Sequence, residues 1–145
     1  MYKHILVPTD GTEFAGRAIA HAVELAKQFG AKLTGVTVLP PLRMMAVEGA
    51  VLSETPEDYE RWMVEVADER LDPIKKAATA AGVVCETVFV EHDQPYQGVI
   101  DVANDKKCDL IVMASHGRRG VSALLLGSET QKVLTHSGIP VLVYR

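Results

Sequence analysis

Gly117, Gly120, Gly127 and Ser128 are the residues of this sequence whose types and spacing best suit a chemical task. Glycines let a backbone approach a phosphate closely and offer it N–H groups. Gly127-Ser128 would set a hydroxyl and free amides at a helix N-terminus. Arg118 and Arg119 add positive charge beside the same loop, so the combination suits an anion. The plain alternative is a glycine-rich turn that only reverses the chain, with both arginines solvated, and spacing alone leaves the two readings level. His116 would meet a phosphate, titrate near neutrality, or simply be solvated, the usual fate of a lone loop histidine. Asp10, in Pro8-Thr9-Asp10-Gly11, is either a ligand-binding carboxylate or the cap of its own turn.

Several chemistries are missing. No G-x4-G-K-[ST] supplies a Walker lysine, and no G-x-S-x-G supplies a hydrolase nucleophile. A response-regulator receiver would need an acidic pair near the first strand and a lysine after the last, but Asp10 stands alone and no lysine follows Lys132. A flavodoxin would want a hydroxyl-rich loop after strand one. Cys85 and Cys108 form no C-x-x-C pair and read as small buried apolar residues, while His4, His21, His92 and His136 have no metal-ligand spacing. Fifteen Lys and Arg against nineteen Asp and Glu give a net charge of −4, which argues against nucleic acid as a partner. No apolar run approaches the length of a membrane span and no signal peptide is evident, so a soluble cytoplasmic protein is expected.

The elements that must position the loop follow from periodicity. With 145 residues, 48% of them hydrophobic, one domain over residues 1–145 with a substantial core is expected. Ile5-Leu6-Val7 is a strand buried on both faces, and apolar residues from Ala15 to Phe29 at spacings of three and four predict a helix over 13–29 that stops at Gly30. A strand follows over Lys32 to Leu39, ended by Pro40-Pro41. Residues 40–54 show no period. Thr55-Pro56-Glu57-Asp58 starts a long helix with the stripe Tyr59, Met63, Ala67, Leu71, Ile74, Ala78 and Ala81, in which Pro73 predicts a kink or break. Trp62 and Met63 would be core or dimer contacts. Strands over Val83–Val90, Asp109–Ala114 and Val141–Tyr144, with helices near 96–103 and 128–135, complete five strands and four helices. Such alternation predicts an α/β fold, one doubly wound five-stranded parallel sheet with helices on both faces. Its ligand crevice would lie beyond the C-terminal strand ends, where Pro8–Thr12 and Ser115–Ser128 meet.

Ala114-Ser115-His116-Gly117, nine residues, Gly127-Ser128 and the ending Ile139-Pro140-Val141-Leu142-Val143 resemble the universal stress protein family. The opening Ile5-Leu6-Val7-Pro8-Thr9-Asp10-Gly11 resembles that family's first strand and loop, so the likeness spans the chain. Its ATP-binding branch carries G-x2-G-x9-G followed by Ser, Thr or Asn. This sequence matches with Gly117, Gly127 and Ser128 and departs at Ala114, which stands in place of the first glycine. A turn at negative φ would tolerate that methyl group, whereas positive φ or ligand contact there would impair binding.

The resemblance implies a Rossmann-like, adenine nucleotide alpha hydrolase-like sheet of order 3-2-1-4-5. It implies that ATP, AMP or another adenine nucleotide binds at the C-terminal ends of strands 1, 2 and 4, with Mg or Mn through the phosphates. Pro8 and Thr9 would shape the adenine wall, Asp10 would contact the adenosine, and Val38 would offer its backbone to the adenine edge. Ser115, His116 and Gly117 would line ribose and phosphate, and Gly127, Ser128, Glu129 and Thr130 would hold the phosphates, with Ala114, Arg118, Arg119 and Gly120 alongside. Gly117→Val is expected to abolish binding while leaving the fold nearly intact. The implied role is a stress-response sensor or regulator that pairs as a homodimer through Val141, Leu142 and Val143. No positioned general base is evident, so any ATP hydrolysis should be slow. Two alternatives stand beside it: a nucleotide-independent interaction module that docks a protein client around residues 40–54, where Met44 and Met45 lie, and an enzyme using His116 as acid or base.

Overall fold

The computed structural model describes residues 1–42, 55–117 and 125–145. Chain order is β1 (His4–Pro8), α1 (Glu13–Phe29), β2 (Lys32–Leu39), α2 (Pro56–Ala81), β3 (Cys85–Glu91), α3 (Pro95–Asp105), β4 (Leu110–Ala114), α4 (Ser128–His136) and β5 (Val141–Tyr144). The strands form one parallel sheet of order β3-β2-β1-β4-β5, as expected.

Alternation along the strands sends side chains to two cores. Ile5, Val7, Leu33, Leu39, Leu110 and Val112 pack under α1 and α2, while Leu6, Val36, Ile111 and Met113 pack under α3 and α4. Each fully buried aliphatic side chain of this set stabilises the fold by about 1.5–3 kcal/mol. The strand order reverses between β1 and β4, whose following helices leave to opposite faces. That divergence opens a crevice between the two loops.

Local signals set the helix ends. Thr12 caps α1, Thr55 and Asp58 form a reciprocal capping box on α2, and Gly30 and Gly82 close the two helices at φ 64° and 70°. Val83 N–H then donates to Ala78 carbonyl at 2.9 Å, which ties it to the end of α2. The third strand therefore begins at Cys85, two residues later than the apolar pattern suggests. Cys85 is only half-buried, whereas Cys108 is buried and its thiol is pushed up to about 11 by burial.

Pro73 does not break α2, which is a single helix from Pro56 to Ala81. Proline removes the N–H that would bond the carbonyl four residues back, but Pro73 is exposed, so water reaches the site of the missing bond. Leu71, Ile74 and Ala78 on the inner face stay buried and hold the helix to the sheet. Met63 is in the core and Trp62 packs against its edge, stacked on Tyr59.

The opposite end of the sheet carries a polar chain. His4 Nε2 lies 2.6 Å from Thr34 Oγ1, which donates to Glu86 Oε1 at 3.1 Å, and Lys106 Nζ holds the other Glu86 oxygen at 3.0 Å. Burial and the nearby Lys32 charge lower the pKa of His4, against the pull of Glu86, the Lys106 carbonyl and Asp109.

Candidate functional site

The two loops meet. Pro8 ends β1, and Thr9 N–H continues past it to bond Val36 carbonyl at 2.9 Å. The loop then folds on its own side chains. Gly11 N–H donates to Thr9 Oγ1 at 3.1 Å, and Thr12 donates to Asp10 Oδ1 through both N–H (3.0 Å) and Oγ–H (2.6 Å). The cap of α1 thus fixes the Asp10 carboxylate. Its other oxygen faces Gly117, where a Cβ would stand 2.6 Å from Oδ2. That close approach is why position 117 carries no side chain: a methyl group would strike Asp10. A valine at 117 would accordingly displace the Asp10 carboxylate and disturb the packing of the two loops.

From the other side, Ala114 ends β4 opposite Tyr144, and its carbonyl accepts from Thr130 Oγ–H at 2.9 Å. Lys107 is the only non-glycine at positive φ among the described residues, so Ala114 adopts ordinary backbone geometry that a methyl group does not disturb. Ser115 N–H donates to Tyr144 carbonyl, and Ser115 carbonyl accepts Gly127 N–H at 2.8 Å. A Cβ at Gly127 would lie 3.2 Å from that carbonyl and 3.4 Å from His116 Cα, so the loop closes over a glycine backbone. Gly127 is the N-cap of α4 and offers no side chain to its first amides, which leaves the positive helix end beside Gly117.

His116 departs from the solvated reading. It is buried, its Nδ1 lies 3.0 Å from Ser115 Oγ, its ring sits 6.0 Å from Phe14, and Nε2 has no hydrogen-bond partner among the described residues. Thr130 is buried and its hydroxyl is spent on Ala114. Glu129 points away toward α3, where Oε2 accepts Tyr96 N–H at 2.8 Å and so caps a helix whose own N-cap, Gln94, supplies none. Its second oxygen lies 3.5 Å from Lys132 Nζ.

Val38 lies two residues past the last β1 register pair, Pro8 with Val36. In a parallel strand a residue's N–H and C=O point to the same side, and Val36 turns its carbonyl to Thr9. Val38, of the same parity, therefore presents both groups beyond the end of β1. Its side chain is pinned from the other face, since a Cβ on Gly98 of α3 would meet both Val38 γ carbons at 2.9 Å. Sequence reasoning missed Thr12 and Gly98. The first was legible as a hydroxyl three residues before Ala15 at a helix start, while the second is a helical glycine with no local signal. Arg118, Arg119 and Gly120, and Met44 and Met45 in the segment offered to a client, lie outside the described residues.

The described residues thus bring together Pro8, Thr9, Asp10, Val38, Ala114, Ser115, His116, Gly117, Gly127 and Ser128 at one end of the sheet. The divergent loops, backbone donors and helix N-terminus make a site suited to an elongated ligand with an anionic end. Among the described residues no group of three or more His, Cys, Asp or Glu side chains could hold a metal ion, and no helix is long and apolar enough to cross a membrane.

Residues 1–145 match the family model described as Universal stress protein family. Universal stress protein MJ0531 of Methanocaldococcus jannaschii is 34% identical over 149 residues, covering 100% of this chain and 83% of that protein. A universal stress protein of Thermus aquaticus is 32% identical, with both chains covered completely. Among solved structures, that of MJ0577 superposes with a TM-score of 0.78 at 29% identity, covering 99% of this chain and 95% of the other. A universal stress protein in complex with cAMP (TM-score 0.71, 23% identity, 99% and 97% covered) and one from Archaeoglobus fulgidus in complex with dAMP (0.72, 21%, 99% and 98%) share the fold. By sequence over its whole length and by the order of its sheet, this chain belongs to the universal stress protein family.

Proposed function

We propose that the chain is a stress-response protein that binds ATP with Mg or Mn at the crevice between β1 and β4, and acts as a sensor or regulator. The observation that carries this reading is the junction of the two loops. The fixed Asp10 carboxylate abuts Gly117, and Gly127 folds onto Ser115 at the uncapped start of α4. Phosphates would lie against the amides of Gly127, Ser128, Glu129 and Thr130 and the Ser128 hydroxyl, with Arg118, Arg119 and Gly120 supplying further donors. Asp10 would take the ribose, and Pro8 and Thr9 would bound the base. The Val38 N–H and C=O suit the acceptor and donor of an adenine edge. Ala114 at ordinary φ meets the backbone half of the objection that its methyl group raises. The relatives that hold cAMP and dAMP bring adenine nucleotides to the same fold.

The divalent cation would sit on phosphate oxygens, where it offsets their charge. The carboxylates of Asp10 and Glu129 are already engaged by Thr12 and Tyr96. As a cytoplasmic protein the chain would pair through β5, the sheet edge where Val141, Leu142 and Val143 remain half-buried. Extraction of small molecules from fresh protein, followed by calorimetric titration of ATP with magnesium, tests the reading. Retained nucleotide or a micromolar binding isotherm is the expected result. Absence of nucleotide, of binding heat and of thermal stabilisation would overturn it in favour of a client-docking module. Monomeric light scattering at micromolar concentration would overturn the dimer.

A further inference from the structure

Val38 is backed by α3, and the first turn of α3 hangs on one residue. Gln94 is the N-cap of that helix, with no side-chain cap of its own. Its carbonyl accepts Gln97 N–H at 3.1 Å and Gly98 N–H at 3.2 Å, and its own N–H donates to His92 Nδ1 at 2.9 Å. Pro95 has no N–H to give, and Tyr96 N–H goes to Glu129. His92 therefore holds the head of α3 from the side of β3, as Glu129 holds it from α4.

The same histidine lies beside the end of β2. It follows β3 directly, and its N–H donates at 3.0 Å to the carbonyl of Leu39, the neighbour of Val38. A Cβ on Gly98 would meet both Val38 γ carbons at 2.9 Å and His92 Cβ at 3.4 Å, so strand, helix and histidine close on one another at Gly98.

The hydrogen bond to Gln94 sets the proton chemistry of the ring. A backbone N–H can only donate, so Nδ1 presents its lone pair and the neutral ring carries its hydrogen on Nε2. Nε2 lies 3.9 Å from Asp101 Oδ2, and the other Asp101 oxygen takes Gln97 Nε2–H at 2.8 Å. A proton added to His92 must go on Nδ1, where two N–H groups would then face each other. The Gln94 bond is lost in that state, while the imidazolium is drawn to Asp101. The ring thus has one partner when neutral and another when charged, and at 33% exposure it is open to protons from solvent. Asp101 is the charge that α3 brings to the ring, Glu91 and Asp93 flank it in the chain, and β2 meets this segment through Leu39.

We propose that His92 is a positioning residue for the crevice: its neutral ring keeps the first turn of α3 seated against Val38, and its protonation unseats that turn and weakens nucleotide binding. The proposal rests on the reading that the Val38 peptide groups receive an adenine edge.

Two variants of the whole protein separate the clamp from the charge. His92→Asn keeps an acceptor two residues before the Gln94 N–H and does not titrate, whereas His92→Leu removes the acceptor. Nitrogen–proton correlation spectra of nucleotide-free protein between pH 8 and 5 follow the His92 ring and the Gln94 amide. The neutral ring is expected to carry its hydrogen on Nε2, and the Gln94 amide to shift in step with ring protonation in the parent and to stay fixed in His92→Asn. Calorimetric titration of ATP with magnesium at pH 7.5 and 5.5 reads the consequence. The parent should match His92→Asn at pH 7.5 and bind about three- to tenfold more weakly than it at pH 5.5, while His92→Leu should be weaker than His92→Asn by about that factor at both. Protonation of the nucleotide, of His4 and of His116 is common to all three proteins and cancels in the comparison. A Gln94 amide indifferent to the ring, a neutral ring protonated on Nδ1, or a parent that tracks His92→Asn at both pH values would each overturn the proposal. Absence of ATP binding by every protein would instead overturn the nucleotide reading, and the Gln94 amide, recorded without nucleotide, would still decide the clamp.

Discussion

Gly117→Ala isolates the contact on which the site is built. The added Cβ would stand 2.6 Å from Asp10 Oδ2, whereas ordinary contacts begin at 3.4 Å, so 3.4 − 2.6 = 0.8 Å must be found. Asp10 is short, and it cannot swing aside without loosening the Thr12 bonds to Oδ1 at 2.6 and 3.0 Å. Hydrogen bonds to charged groups contribute about 1.5–3 kcal/mol each, and a displaced carboxylate near the surface regains water, so the net cost is about 2–3 kcal/mol. In a chain of this size that corresponds to a Tm lower by about 5–10 °C. Position 117 is not at positive φ, so an alanine there carries no backbone penalty once Asp10 is gone. In an Asp10→Ala background, Gly117→Ala should therefore be neutral or stabilise by about 0.4–1 kcal/mol through the unfolded chain. Urea denaturation of the four proteins, followed by Trp62 fluorescence, gives the coupling energy. An equal cost of Gly117→Ala in both backgrounds would refute the reasoning, because the clash would then lie with something other than Asp10.

Gly98→Ala gains helix propensity but drives a methyl group to 2.9 Å from both γ carbons of Val38, whose β-branched side chain is stiff at χ1. A net loss of about 1–2 kcal/mol in urea unfolding, with weaker ATP binding by calorimetry, is expected. Thr130→Val keeps the shape and leaves the Ala114 carbonyl without its 2.9 Å donor, for an expected loss of about 1–2 kcal/mol by thermal or urea unfolding. His4 has a folded pKa below its ordinary 6.5, so the folded state resists a proton that the unfolded chain accepts. Its contribution is fully present above pH 6.5 and is lost as pH falls from there through the folded pKa. Urea midpoints between pH 7.5 and 5 should fall more steeply for the parent than for His4→Gln. Parallel curves would remove His4 from the account.

The sheet was legible because its signals are local. Ile5-Leu6-Val7 and Leu110 to Met113 are too apolar for a half-exposed strand, and Thr12, Thr55, Gly30 and Gly82 mark helix ends by chemistry that depends only on neighbours in the chain. The loop glycines were legible as a spacing, but the reasons for them were not. Gly117 and Gly127 answer to Asp10 and to the Ser115 carbonyl, and each pairing is made only when the chain has folded. The same limit explains Glu129 and His116. Nothing in Gly127-Ser128-Glu129 says that the carboxylate will reach an amide 33 residues earlier, and nothing in a glycine-rich loop says that its histidine will be covered. Pro73 erred the other way, since a strong local rule yielded to the buried stripe on either side of it.

Glu129 deserves a mechanical reading. One carboxylate joins the first turn of α4 to the first turn of α3, at 2.8 Å, beneath the place where a phosphate would rest. The two helices are thereby yoked at their upper ends as well as through the Val99, Val102 and Val133 core. A pull on the leading amides of α4 is a pull on Tyr96, so this wall of the crevice yields as one slab. Whatever opening or tightening accompanies an arriving ligand would then fall to the facing wall, where the loop after β1 is held by Thr12, by the head of α1 and by the bond from Thr9 N–H to the Val36 carbonyl.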